Sequence, residues 1–318
     1  MKRRDWMKAV GAIAVAGPTI EHLGLPTAEG AEAVVPSRVV DTHTHFYDPS
    51  RPQGVPWPGK GTSLYRTVMP ADWHAVAGPS GVKETIVVEA SPWVEDNQWV
   101  LDIAANDKSI IGLVGNLDPR EADFSKHLTR FAKNPIFRGI RWRSDLVPID
   151  RDREILVRAA NQLKDLDLEL DLNGSCQALP LANQLATEVP ELRIVINHLG
   201  ASGDPQSIHA DWHSNIRQIA DRPNVYMKVS ALVEQVRCEP GEAPADTEYY
   251  LPILDHLWKC FGEDRLVYGS NWPVSDRGAP YGVVYKIVGD YFASKGKAAT
   301  EKYFWQNAKA AYRWQERE

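Results

Sequence analysis

The chain has 318 residues, 43% hydrophobic, 9% aromatic and 25% charged, with a formal net charge of -6. That is enough apolar material for one large domain and argues against wholesale disorder. With no basic run beyond the first few residues, it is a poor match for nucleic acid or an anionic membrane, which leaves a small neutral or polar substrate open.

The first 33 residues read as an address. Lys2 to Lys8 is basic and holds a twin arginine, Arg3 and Arg4. A weakly apolar Ala9 to Ile20 follows, and Ala31-Glu32-Ala33 has the A-x-A form that signal peptidase accepts. These parts, in this order, predict a twin-arginine export signal cleaved after Ala33 and a periplasmic mature chain of residues 34–318. No apolar stretch reaches the roughly 20 residues that span a bilayer, so no membrane insertion is expected once the signal is removed. Cys176, Cys238 and Cys260 are far apart, odd in number and without C-x-x-C spacing, which gives neither a disulfide framework nor a zinc knuckle.

From Val34 onward, short β-branched runs alternate with amphipathic segments. The predicted strands are Val39 to Thr42, Thr85 to Val88, Ile110 to Val114, Phe137 to Arg141, Leu168 to Leu172, Ile194 to Asn197, Val225 to Val229 and Leu266 to Tyr268. Helices are predicted over Asn97 to Asn106, Phe124 to Ala132, Arg151 to Leu166, Leu179 to Glu188, Trp212 to Ala220 and Glu248 to Phe261, with a closing helix over Ala298 to Trp314. Asp150 can cap the third of these, and Pro135 and Pro190 stop their predecessors. Eight strands with about seven crossovers suit a (β/α)8 barrel of the TIM type better than an open doubly wound sheet. No G-x-G-x-x-G follows the first strand, so no dinucleotide site is indicated. Proline-containing loops, Phe46 to Pro70 and Glu234 to Asp246, are long enough to cover a barrel mouth.

In such a barrel the chemistry sits at the C-terminal strand ends. The first strand ends in Asp41-Thr42-His43-Thr44-His45, and histidines at i and i+2 share a face where both imidazoles can bind one ion. Glu89 ends strand two. It is either a general acid or base raised by burial, or a rim carboxylate paired with Arg141 or Lys228. Arg141 and Arg143 flank Trp142 on one face of strand four. Arg141 can grip a substrate carboxylate bidentately or fill the barrel top as an ion pair. Lys228 and Ser230 end strand seven. Of the eleven tryptophans, Trp57, Trp93 and Trp272 lie on strand-end loops and are candidate substrate contacts. Cys176, with no base indicated nearby, reads as structural.

Val40 to His45 resembles the opening of the metal-dependent amidohydrolase superfamily. Later segments narrow the likeness to the amidohydrolase-2 branch of sugar lactonases and 2-pyrone-4,6-dicarboxylate lactonase. They are Val87 to Ser91, Arg138 to Arg141, Leu192 to Gly200, Val225 to Ser230 and Arg265 to Val274, and the likeness runs along nearly the whole chain after Ala33. It implies a third imidazole, His198 at the end of strand six, which binds the ion or holds the substrate carbonyl, and so a triad of His43, His45 and His198. No histidine stands near Asn173 after strand five, which implies one divalent metal, zinc or manganese, or none.

The resemblance also implies an aspartate at the end of strand eight that takes a proton from the attacking water. This chain has Asn271 there, and an amide is no base at neutral pH, although its carbonyl oxygen can orient water. The expectation is a hydrolase that opens a sugar-acid or aromatic-derived lactone, with Glu89 or His198 taking over the proton. Asp276 is a further candidate, set farther along the loop. A metal-dependent decarboxylase and an exported sugar-acid-binding protein without turnover are the alternatives; homo-oligomerisation stays open.

Overall fold

The structure is a computed structural model that describes residues 34–143 and 149–317, without the side chains of 149–151. The expected export signal lies outside the described residues, as does the side chain of Asp150 with its capping role.

Eight strands carry the fold: β1 (Val40–Thr44), β2 (Glu84–Val88), β3 (Ile110–Gly115), β4 (Phe137–Arg143), β5 (Glu169–Asn173), β6 (Ile194–Ile196), β7 (Val225–Val229) and β8 (Leu266–Tyr268). They form one sheet in chain order, and each neighbouring pair is parallel. The sheet curls until its edges meet at the mouth. There the Asn271 N–H donates to His43 O at 2.8 Å, and the His45 N–H donates to Trp272 O at 3.0 Å. The result is the expected barrel, nearly closed.

Around it run α1 (Pro70–Ala77), α2 (Val94–Asn106), α3 (Phe124–Ala132), α4 (Ile149–Asp165), α5 (Leu179–Glu188), α6 (Trp212–Ala220), α7 (Leu251–Phe261) and α8 (Tyr281–Ser294). All eight predicted strands and most helices fall within a few residues of expectation. The predicted Glu248 to Phe261 helix divides into a 3-10 turn, Thr247–Tyr250, and α7, whose first turn takes Pro252 without losing a hydrogen bond. Missing from the predicted helices are the short α1 and also α8. Its Tyr281-Gly282-Val283-Val284-Tyr285 start is aromatic, β-branched and low in helix propensity. Burial of Tyr281, Val284, Ile287, Val288, Tyr291 and Phe292 at helical spacing overrides that preference.

The core has two parts. One lies between sheet and helices. The other fills the barrel: Val40, Ile86, Val88, Ile111, Val114, Val195 and Val267 pack against Ala308, Ala311 and Tyr312 from the closing helical stretch and Trp314 just beyond it. That stretch comprises α9 (Lys297–Glu301), a π turn (Lys302–Gln306) and α10 (Asn307–Tyr312), and it plugs the N-terminal ends of the strands. Arg193 Nε holds it through Ala311 O at 2.7 Å, and Asn307 Nδ2 through Leu266 O at 2.8 Å.

Packing inside the barrel is tight where β4 meets β5. A Cβ on Gly139 would lie 2.1 Å from Glu169 Oε1 and 2.5 Å from the Glu169 carbonyl oxygen. Gly139→Ala should therefore cost roughly 3 kcal/mol, the upper end of usual overpacking penalties. A urea midpoint equal to that of the unaltered protein would refute this.

Candidate active site

The histidines converge because of local backbone irregularity as well as strand alternation. Between Asp41 and Thr44 the β1–β2 register shifts: Asp41 pairs with Thr85 but Thr44 with Val87, so β1 carries an extra residue before His45. Asp41 pins this bulge. Its Oδ1 accepts from the backbone N–H of Ser270 at 2.8 Å and of His43 at 3.1 Å, and its Oδ2 from Tyr281 Oη at 3.0 Å. Burial raises the Asp41 pKa, and these donors oppose the rise.

His198 is presented by an unusual turn, in which His198, Leu199, Gly200 and Ala201 all have positive φ. Ala231 and Asn271, after β7 and β8, do as well. Asparagine tolerates this region better than most residues, and a leucine there is an outlier of the kind that clusters at functional sites. The His43 ring centroid lies 4.9 Å from that of His45 and 4.5 Å from that of His198. His45 Nδ1 donates to Val88 O at 2.9 Å, and its Nε2 faces Asn271 Oδ1 at 3.3 Å. His198 Nδ1 meets Ser230 Oγ at 2.9 Å. His43 Nε2 is buried with no partner.

All three imidazoles are neutral at pH 7. Burial is the main cause, and the positive charges of Lys228 and Arg141 add to it; His45 is lowered to about 3, and His43 and His198 lie well below their ordinary value.

Beneath them runs a buried polar column. Lys228 Nζ, with no exposure, donates to Asp171 Oδ2 at 2.7 Å and lies 3.5 Å from His43 Nδ1. Tyr312 Oη rises from the plug to donate to Asp171 Oδ1 at 3.0 Å. Glu169, one turn of the pleat below, has its carboxyl raised well above the ordinary range by burial and by the Asp171 charge. Lys228 was expected here as a strand-end residue; Asp171, Glu169 and Tyr312 were not. A signal existed for the first two: Glu169, Asp171 and Asn173 alternate with Leu168, Leu170 and Leu172, a polar face turned toward the barrel axis.

On the other side of the mouth, Arg141 Nε and Nη2 hold Glu89 Oε1 at 2.8 and 2.6 Å, and Nη2 also donates to the Glu89 carbonyl at 2.8 Å. Of the two open readings for Glu89, the structure places it in the ion pair. A cavity of about 720 Å³ opens alongside, lined by Arg141, Arg143, Trp142, Trp93, Asn116 and Arg120 among others. Trp93 is 38% exposed over it, whereas the Trp272 ring is buried in the core with Arg66 lying across it. Asp276 is held 3.7 Å from Arg66.

Residue Glu234, half-buried in the turn after β7, was not singled out by its sequence position. Its Oε1 accepts from Asn271 Nδ2 at 2.7 Å, and its Oε2 is buried without a partner. Burial raises its pKa to about 7, against the opposing Asn271 hydrogen bond and the Arg277 charge. No local pattern could reveal it, because the contact joins residues 37 apart in sequence.

Residues 40–314 match the amidohydrolase family. The chain belongs to that family. It is 31% identical to an L-fucono-1,5-lactonase of Burkholderia ambifaria over 76% of this chain and 83% of that one. A solved amidohydrolase from Burkholderia multivorans with bound zinc superposes with a TM-score of 0.78 at 23% identity, covering 88% of this chain and 100% of that one. A probable 2-pyrone-4,6-dicarboxylic acid hydrolase from Acinetobacter baumannii, with citric acid bound, gives 0.70 at 14% identity over 86% and 99%.

A divalent ion shared by His43, His45 and His198 needs from each a bare nitrogen aimed at one point, with the other nitrogen donating outward to an acceptor. His45 complies through Val88 O. His43 does not, because its Nδ1 faces an ammonium, which offers only protons. The proton of neutral His43 therefore belongs on Nε2, the nitrogen that would have to be bare. Among the described residues no group of three or more His, Cys, Asp or Glu side chains is placed to hold an ion. As arranged, the three histidines do not fit one.

The tautomer can be read directly. Long-range 15N–1H spectra should show His43 protonated at Nε2, with the preference weakened in Lys228→Met; an Nδ1–H form in the unaltered protein would contradict the arrangement. Asp171→Asn, which strands the ammonium, should cost about 3–5 kcal/mol in chemical denaturation.

Proposed function

We propose that the protein hydrolyses the ester bond of a sugar-acid lactone, with carbonyl polarisation supplied by the histidine cluster and its buried ammonium. The observation that carries this reading is His43 Nε2, buried without a partner, on a ring whose Nδ1 faces the Lys228 ammonium and whose proton is thereby assigned to Nε2. A lactone carbonyl oxygen would satisfy that donor. As the oxygen gains charge in the tetrahedral intermediate, the Lys228 ammonium behind the ring strengthens the bond, the preorganised arrangement that stabilises oxyanions. The low imidazole pKa values keep His43 a neutral donor, so it need not lose a proton before it can act.

The remainder of the substrate would lie in the cavity of about 720 Å³, an ordinary size for a small-molecule site. Trp93 offers a face for sugar C–H groups. Arg141, with its plane fixed by Glu89, and Arg143 offer donors to hydroxyls or a carboxylate. Similarity to a sugar-lactone hydrolase of Burkholderia ambifaria supports this substrate class. Attack of water on the carbonyl carbon, followed by cleavage of the ring C–O bond, gives the open hydroxy acid.

Purified protein should hydrolyse members of a panel of 1,5- and 1,4-sugar lactones, as followed with a pH indicator. Prolonged chelation should change kcat/KM by less than about twofold, and elemental analysis should find well under one equivalent of metal. Silence across the panel would reject the hydrolase reading. Chelation-sensitive turnover with one bound equivalent would reject only its metal-free part. His43→Ala, with its circular dichroism unchanged, should lose about 10²- to 10³-fold in kcat, as when an oxyanion donor is removed.

A further inference from the structure

Asn271 cannot accept a proton, and Glu89 is engaged by Arg141. Another carboxylate, beside Asn271, is Glu234. It sits one side chain beyond Asn271, with one oxygen bound to that amide and the other buried and unpartnered.

The hydrogen bonds of this trio do not close without an extra proton. His45 keeps its proton on Nδ1, which donates a hydrogen bond to Val88 O, so as a neutral ring it presents a lone pair at Nε2. Asn271 Oδ1, also an acceptor, faces that lone pair at 3.3 Å. Turning the amide over lets Nδ2 donate to His45, but Oδ1 then faces Glu234 Oε1, and that contact needs a proton on Glu234. Which way an amide points is assigned from such networks, and here the assignment follows the charge of Glu234. A protonated Glu234 suits the turned amide; an ionised one suits the amide donating to it. Asn271 thus couples the carboxylate to the histidine without carrying the proton.

We propose that Glu234 is the proton acceptor of the hydrolysis, with Asn271 as the positioning residue that aims it and reports its state to His45. The proposal rests on the lactone reading above. In the forward step a Glu234 oxygen takes a proton from water as the water oxygen bonds to the lactone carbonyl carbon, and the C=O pair moves to the carbonyl oxygen. When the intermediate collapses, that pair returns, the ring C–O bond breaks, and Glu234 gives its proton to the departing alkoxide oxygen. Lactone plus water becomes hydroxy acid, and Glu234 ends ionised. The groups that bear on its charge are Arg277, which favours the anion, the Asn271 amide, and Tyr250, whose own ionisation Glu234 opposes. Burial outweighs the favourable terms and leaves the group poised near pH 7, where a general base works best.

The test is Glu234→Gln, assayed on whichever lactone the unaltered protein turns over. The expected loss is about 10²- to 10⁴-fold in kcat with KM within about threefold. In the unaltered protein log kcat/KM should rise with pH through about 7, as the carboxylate ionises. In Glu234→Gln that limb should vanish. Glu234→Ala should regain at least tenfold on addition of formate, a carboxylate small enough for the vacated space, and this variant decides the matter if the glutamine variant does not fold. Activity of Glu234→Gln within threefold of the unaltered protein, or a pH limb that survives the substitution, would overturn the proposal while leaving lactone hydrolysis standing. An unaltered protein inactive on every lactone would remove both.

Discussion

Most of the site depends on one interaction, the ion pair of Lys228 and Asp171 on the axis of the barrel. Both side chains are without exposure, so each charge has surrendered its water and is tolerated only because the other lies 2.7 Å away. The pair imposes order on everything near it. Asp171 uses its second oxygen to hold Tyr312, which ties the closing helix to the barrel wall. Burial and the nearby Asp171 charge both push the Glu169 carboxyl well above the usual carboxylate range. Above, the ammonium meets His43 at the nitrogen that would otherwise look for an acceptor, and so sends the ring proton toward the mouth. A buried pair of this kind is weak support for stability. Its contribution here is to specify a tautomer.

How much of this was legible in the sequence follows from the range over which each feature is encoded. The strands are local objects, and eight apolar runs announced them within a residue or two at most ends. The H-x-H pair was legible because alternation within one strand suffices to bring two rings together. Glu89 with Arg141 was half legible: both were named as strand-end residues, but their pairing depends on a register across β3 that no single segment contains. Glu234 was out of reach, because it comes to the site only when the turn after β7 folds toward the turn after β8. Helix α8 was missed for a similar reason. Its start is a weak helix former that gives no local signal, and tertiary burial supplies the helix.

Position 271 joins these threads. Its backbone has φ near +62°, a conformation that asparagine adopts with little penalty, and its N–H closes the barrel by donating to His43 O. Aspartate would satisfy both backbone demands equally well, so the backbone does not explain the amide. The neighbour does. A carboxylate at 271 would place its oxygen where Nδ2 now lies, 2.7 Å from Glu234 Oε1, and two such groups cannot both be ionised at that separation. One would hold a proton through most of the useful pH range, and neither would be a simple base. With asparagine at 271, the Glu234 carboxylate is hydrogen-bonded rather than repelled. The amide at 271 and the glutamate beyond it are therefore one arrangement: the carboxylate stands one side chain farther out, and the amide is what allows it to stay there.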